Sequence, residues 1–511
     1  MTLSPAAWRA SLLLAAFVAG ALGALGLAPI YAWYATVAMF LAVPFALRRC
    51  TTAWQAAWVG LAMGTGWFGL GLSWIVEPFF VDAARHGWMA PFALLFISVG
   101  MALFWGAAFW AAYRLGRGFH QRVWLLCLTW TLAELARGYI LTGFPWASPP
   151  QVWVGEPPML FLAWVGPYGL FLWMLAVLLP FGAWMQAILS RERPRALYAM
   201  PLALYGIAQT LVGYAQPEVV SSGYVVRVVQ PNAEQHLKWD RNFMPVFFNR
   251  QIEYTEAAGD GPRPDLIVWP ETAITPLLDQ AEYELGRIAQ AANGVPLVLG
   301  TQRADYGTDR ARYYNTLVVL DETGAVADTY DKHHLVPFGE YLPFGNVLSR
   351  FGIRGLAEMA AFGYSPGPGP ALVDLGPVGQ AVPLICYEAV FPQDVNGAPG
   401  RADVLLQVTN DAWFGKRSGP YQHLAQAQMR AAEQGLPMIR AANTGVSAVI
   451  DPLGRIVTHI PLGEQGFADA TLPSPFTPTI YARFGDFPVF LAVLALILMS
   501  MMRIMGRNRN T

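Results

Sequence analysis

Apolar residues run almost without interruption from the start of the chain to about residue 214. Over 221–475 the pattern changes to short apolar runs separated by charged segments and Pro-Gly turns. A last apolar run, FPVFLAVLALILMSMM, leads into a basic tail. A bilayer core is crossed by about 20 apolar residues in helical form. By that measure the first region holds seven spans, at roughly 9–28, 31–47, 54–75, 88–112, 123–142, 159–189 and 196–214, with an eighth at about 485–502. The first has the look of a signal peptide, but its apolar stretch is long and further spans follow directly. The expected plan is a polytopic α-helical membrane bundle of about eight spans: a membrane domain over 1–220, an inserted domain over 221–475, and a final helix with its tail over 476–511.

Composition agrees with this plan. Hydrophobic residues make up 55% of the chain and charged residues 13%, about half the charged share of an ordinary soluble domain, and mean hydropathy is +0.36. A formal net charge of −1 gives no basic footprint for a nucleic-acid partner. The charges that are present have a pattern. Basic clusters follow the second, fourth, sixth and eighth spans, in RRC (48–50), YRLGRGFHQR (113–122), SRERPR (190–195) and RIMGRNRN (503–510). Basic residues in short loops mark the cytoplasmic side. Both termini are therefore expected in the cytoplasm and the 221–475 domain on the opposite, outer face of the membrane.

Inside the fifth span, Glu134 and Arg137 stand three residues apart on one helix face. Ionisable groups at that depth are costly and are paired or functional. An internal ion pair that fixes bundle packing and a site for lipid head groups both remain open on sequence grounds.

In the inserted region, YVVRVVQPN, DLIVWPET, VPLVLGTQR, the paired YYNTLVVLD and VADTYDKHHLV, GQAVPLICYE and ADVLLQVTND read as strands, with helices near 242–258, 281–293 and over YQHLAQAQMRAAEQG. This alternation predicts an α/β layered domain. Chemistry in such domains gathers at the carboxyl ends of strands, where Glu271, Lys332 and Cys386 fall. Three cysteines in 511 residues, Cys50, Cys127 and Cys386, make no disulfide framework. A thiol at a strand end serves either as core packing or as a nucleophile. Glu271 as general base and Lys332 as a fixed cation for an oxyanion would complete an acyl-transfer set. Each residue alone has a plainer reading, as a solvated charge or a core thiol.

The local motifs carry the joint reading. WPET around Glu271, YDKHHLVPFGEYLPF around Lys332 and ICYEAVFP around Cys386 resemble, in order and content, the Glu-Lys-Cys triad of the nitrilase (carbon–nitrogen hydrolase) superfamily. With the spans, and with TGFPW, TNDAWFG and RAANTG, the chain resembles the apolipoprotein N-acyltransferase family. The resemblance implies an αββα sandwich for the inserted domain and a ping-pong N-acyltransferase. A phospholipid would donate its acyl chain to Cys386 as a thioester, and the α-amine of an S-diacylglyceryl apolipoprotein would accept it. Supporting roles would fall to Glu340 beside Lys332, to Tyr387 and Glu388 at the pocket, and to Trp239 near the entrance; these residues have structural readings as well. Residues 342–356 read as a membrane-touching lid. His333 and His334 read as solvated loop residues with no further ligand nearby, and no metal or cofactor is implied. Two competing readings share the same residues: a membrane-tethered amidase or nitrilase whose thioester is resolved by water, and a non-enzymatic lipid carrier.

Overall fold

The computed structural model describes residues 5–193, 196–214, 216–307, 311–343 and 363–509. Of the segment expected to form a lid, everything beyond Pro343 lies outside them. By internal contacts the chain divides into two compact units. The first contains the chain up to Pro217, Arg417–Ala425 and the chain from Ile480; the second contains Glu218–Lys416 and Gln426–Thr479.

The first unit is helical. Long helices occupy Pro5–Gly23, Trp33–Arg49, Ala53–Gly71, Ala90–Leu115, Phe119–Tyr139, Leu162–Leu189, Met200–Tyr214 and Phe487–Arg509, one at each segment expected to span. Among the described residues, two stretches qualify outright by length and hydropathy as membrane-crossing, Ala83–Leu115 and Pro157–Leu189, and a third qualifies if Ala53–Gly71 and Ser73–Phe80, bent by 46°, count as one. Ala10–Gly26 and Phe487–Met502 are shorter apolar helices. Ala53–Gly71 packs between Pro5–Gly23 and Ala90–Leu115. Its Gly66 lets backbones meet: a Cβ there would stand 2.0 Å from the Phe17 carbonyl oxygen, the close approach small residues permit between apolar helices.

The Glu134–Arg137 pair is 1% and 2% exposed. Arg137 Nη2 meets Glu134 Oε2 at 2.5 Å and its Nε donates to Glu134 Oε1 at 3.2 Å, while Trp105 Nε1 donates to the same oxygen at 2.8 Å. The remaining guanidinium nitrogen donates to the carbonyls of Phe144 and Trp146. Both charges are thus spent on each other and on the TGFPW loop, which decides for the internal ion pair over a head-group site. Arg137→Ala would strand a buried carboxylate, a change that costs about 3–5 kcal/mol. The expected result is a marked fall in thermal stability of the detergent-solubilised protein. The pair Glu134→Leu with Arg137→Met should recover part of it; unchanged melting in the single variant would refute the assignment.

One part of the helical unit was not expected from the pattern. Residues Arg417–Ala425, in the middle of the stretch that reads as soluble, belong to it. Trp146 Nε1 donates to Gln422 Oε1 (2.8 Å), its ring stacks on His423 (5.5 Å between centroids), and Gln422 donates to the Ala28 carbonyl.

The second unit holds two six-stranded sheets, ordered β12-β1-β2-β3-β4-β5 and β11-β10-β9-β8-β7-β6. In the first sheet the strands are β1 (Ser221–Gln230), β2 (Leu266–Val268), β3 (Leu297–Asp305), β4 (Arg312–Leu320), β5 (Val326–Asp331) and β12 (Gly466–Pro473). The second has β6 (Val373–Asp374), β7 (Gln380–Ile385), β8 (Val404–Thr409), β9 (Met438–Ala442), β10 (Ser447–Ile450) and β11 (Ile456–Ile460). Each sheet centres on a parallel trio, β1-β2-β3 and β7-β8-β9, with antiparallel strands outside it. Central parallel strands are buried on both faces and read as continuous apolar runs, as VLLQVT and QAVPLI do. The sheets pack on each other, β1 on β9 and β10 and β4 on β7. On the first sheet the helices Met244–Glu256 and Glu282–Ala292 close a core around Trp269, Ile252, Ile288 and Leu299.

Candidate active site

The ends of the strands bring the expected residues together. Glu271 stands three residues beyond β2, Lys332 directly follows β5, and Cys386 directly follows β7. All three are buried, at 7%, 1% and 6% exposure.

Cys386 sits at φ +52°, the left-handed region that an L residue with a side chain enters only at a cost. The turn is held from two sides. Gln407 Nε2 donates to the Cys386 carbonyl at 3.2 Å, and Ile385 N–H donates to Glu388 Oε2 at 2.8 Å. Gln407 is itself fixed by Arg440, whose guanidinium also pairs with Asp411 at 2.5 Å. Thr272, next to Glu271, adopts φ +50°, rarer still for a β-branched residue. Gly300 on β3 lies directly beneath: a Cβ there would be 2.6 Å from Glu271 Cα. A glycine at that point of β3 is what lets Glu271 come so close to the sheet.

Hydrogen bonds aim the Glu271 carboxylate. Asn315 Nδ2 donates to Oε1 and the Asn410 backbone N–H donates to Oε2, each at 2.7 Å. Asn410 comes from the TNDAWFG motif and is held by Asn443 of RAANTG at 2.8 Å. Lys332 Nζ bonds Glu340 Oε1 at 2.8 Å, and Glu340 Oε2 accepts from the Val336 N–H at 2.7 Å. Glu340 thus links the Lys332 ammonium to the backbone of the Val336 loop.

The electrostatics follow from burial and neighbours. Burial, and then Glu340, lift the Glu271 carboxyl above the usual carboxylate range, with Lys332, Asn315 and Lys238 acting the other way. Burial opposes charge on Lys332, yet Glu340, Cys386 and Glu271 together hold the ammonium above its ordinary value. Burial and the Glu271 charge push the Cys386 thiol up, against Lys332 and a hydrogen bond from Thr409. At rest the proton belongs on sulfur. The same burial makes the Glu271 carboxylate a better proton acceptor than an exposed one.

Tyr387 and Glu388 do different work. The Tyr387 ring packs edge-on against His334 and Phe391. Glu388 is fully buried, and its Oε1 accepts from the Tyr330 hydroxyl (2.8 Å) and from the backbone N–H groups of His333 (2.8 Å) and His334 (3.2 Å). Since Oε2 takes the Ile385 N–H, this one carboxylate ties the Lys332 strand end to the Cys386 turn. Trp239 is 46% exposed on the loop that carries buried Lys238.

The two histidines are a correction to the sequence reading. They are half-buried rather than solvated, because Asp394, distant in sequence, is folded against them. His334 Nδ1 meets Asp394 Oδ2 at 2.8 Å, and His333 lies between Asp394 (3.6 Å) and Glu388 (2.8 Å). Their donor atoms lie within 4.8 Å of one another, as a metal site would require, but these contacts already engage them. Burial opposes charge on His333, yet its hydrogen bonds to the Asp394 and Glu388 carboxylates carry the imidazole pKa up to about 9.

Sequence reasoning missed Lys238, Asn315, Asn410 and Gly300. The only signal was their place inside or beside quoted motifs; their partners come from distant strands.

A carbon–nitrogen hydrolase family model matches residues 226–479, and the N-terminal domain model of apolipoprotein N-acyltransferase matches 19–179. The chain is 35% identical to the apolipoprotein N-acyltransferase of Rhodopseudomonas palustris across 97% of its own length and 96% of the relative's. This chain belongs to the apolipoprotein N-acyltransferase family. The Caulobacter vibrioides apolipoprotein N-acyltransferase is 38% identical over 87% of this chain and 84% of its own. Among solved structures, a variant of the Nesterenkonia AN1 amidase from the nitrilase superfamily aligns at 19% identity over 53% of this chain and 98% of that one, with a TM-score of 0.36. As an apolipoprotein N-acyltransferase, the molecule is a membrane-associated enzyme of lipoprotein biosynthesis with a nitrilase-like domain of two sheets.

Proposed function

We propose that acylation runs through a thioester on Cys386, with Glu271 as base and Lys332 as oxyanion stabiliser. The observation that carries this is the strained Cys386 turn, whose thiol is electrostatically coupled to both Lys332 and Glu271. Glu271 takes the thiol proton and sulfur attacks the ester carbonyl of a phospholipid. Negative charge gathers on the carbonyl oxygen, where the Lys332 ammonium, anchored by Glu340, stabilises it. Collapse breaks the ester bond, and the leaving lysophospholipid oxygen takes the proton from Glu271. In the second half, the α-amine of the S-diacylglyceryl cysteine attacks the thioester. An α-amine has a pKa near 8, so a sizeable neutral fraction is present at pH 7. Glu271 accepts its proton and returns one to sulfur as the amide forms.

Water competes for the thioester. A site fed from lipid keeps it out, which accounts for a membrane domain on a nitrilase-type catalyst. On this reading all eight long helices cross the inner membrane and both termini are cytoplasmic. The 221–475 domain then acts on the outer, periplasmic face, with Trp239 touching the incoming lipid.

The test is direct. Purified protein incubated with phospholipid vesicles alone should gain one acyl mass on the peptide containing Cys386. Addition of an S-diacylglyceryl cysteine peptide should discharge it to the amide. Free fatty acid accumulating without an adduct would instead identify a hydrolase.

A further inference from the structure

The site contains a second buried cation. Lys238 is 6% exposed, and its Nζ donates to the Glu271 backbone carbonyl at 3.1 Å. The loop that carries it is fixed at several points. The N–H groups of Asn232 and Ala233 donate to Asn443, and Gln235 accepts from Asn410, the residue whose own N–H holds the Glu271 carboxylate. Lys332, by contrast, bonds Glu340. We infer that Lys238 is a positioning residue that keeps Glu271 ionised, balancing the second carboxylate of a four-charge site.

The charge count gives the reason. Glu271 and Glu340 carry two negative charges, and Lys332 and Lys238 carry two positive ones. Without Lys238, two carboxylates in a poorly solvated site would share one ammonium, and like charges raise the proton affinity of the less well paired one. Lys332 already bonds Glu340, so the proton would settle on Glu271. The groups that face Glu271 are Lys332, Glu340, Lys238, Cys386 and Tyr364; removing a cation from that set can only raise the carboxyl further. Burial draws Lys238 itself down to about 8, with Glu271 acting against that shift, so its charge persists at neutral pH. This inference rests on Glu271 being the base.

The experiment measures p-nitrophenolate release from p-nitrophenyl butyrate in a single turnover, by the full-length protein in detergent, across pH. Wild type should show an acid limb that Glu271→Gln abolishes together with most of the rate. Lys238→Gln keeps a donor for the Glu271 carbonyl but loses the charge. It should move the midpoint of the limb up by about one unit, an about tenfold slower acylation below the wild-type midpoint, with the plateau retained. Lys238→Arg should return the midpoint toward wild type. If Lys238→Gln does not fold, Lys238→Met is read by the same criterion. A variant that is slower at every pH with an unmoved midpoint, or one that matches wild type, overturns the inference while leaving the base in place. An unchanged limb in Glu271→Gln overturns the role of Glu271, and the inference with it.

Discussion

Cys386→Ala is expected to abolish both half-reactions while leaving the protein folded and inserted. The side chain is small, and alanine keeps the Cβ that the turn at φ +52° already accommodates. The surrounding bonds survive the change: the Cys386 carbonyl keeps its bond from Gln407, Glu388 keeps the Ile385 N–H, and Thr409, which also meets the thiol, keeps Asp411. Chemically the loss should be near complete, because Glu271 and Lys332 act on a nucleophile that is no longer there. Residues of one catalytic unit are strongly non-additive, and losing the nucleophile costs on the order of 10⁴-fold or more. Mass spectrometry should show no acyl adduct after incubation with phospholipid, and lipoprotein acylation should fall below detection, with thermal stability close to wild type. Acylation persisting in this variant would exclude the thioester route. Cys386→Ser is a sharper second probe. Its oxygen is harder to deprotonate than sulfur, so any residual ester adduct should form orders of magnitude more slowly.

Glu271, Lys332 and Cys386 were legible because each ends a strand inside a short, recognisable string. The helices of the first unit were legible for a simpler reason: an unbroken apolar run has few other solutions. What escaped was whatever depends on partners far apart in the chain. Lys238 reads as an ordinary loop lysine until the fold sets it under Glu271, 33 positions away. Asn315 and Asn410 reach the same carboxylate from separate sheets. Asp394 turned two apparently solvated histidines into half-buried members of an ion-pair cluster. Residues 417–425 have the polarity of a soluble segment and read as one, yet Trp146 and its neighbours claim them for the helical unit. Periodicity and composition report local preference and burial. They carry no record of which strand end faces which.

Glu388 should prove the most structurally sensitive residue of the site, although it is assigned no chemical step. Five groups converge on its carboxylate: the Tyr330 hydroxyl, the His333 ring and the backbone N–H groups of His333, His334 and Ile385. Glu388→Ala would leave these buried donors without an acceptor, at about 1–3 kcal/mol each. Even partial relaxation leaves a loss of several kcal/mol, a large share of the 5–15 kcal/mol that holds a typical domain folded. Glu388→Gln is the more informative change, because it preserves shape. Its single oxygen can face either the Ile385 N–H or the groups on the Lys332 side, and its NH₂ must then oppose a donor. An expected cost of about 3 kcal/mol corresponds to roughly 6–12 °C in melting temperature for a domain of 150–250 residues. Thioester formation should fall with it even below the melting range, because the two strand ends that present Lys332 and Cys386 are joined through this group. Glu388→Asp should rescue neither property, since a carboxylate drawn back by one methylene cannot span both loops. A Glu388→Gln protein with wild-type melting and a wild-type acylation rate would show that the clamp does not position the site.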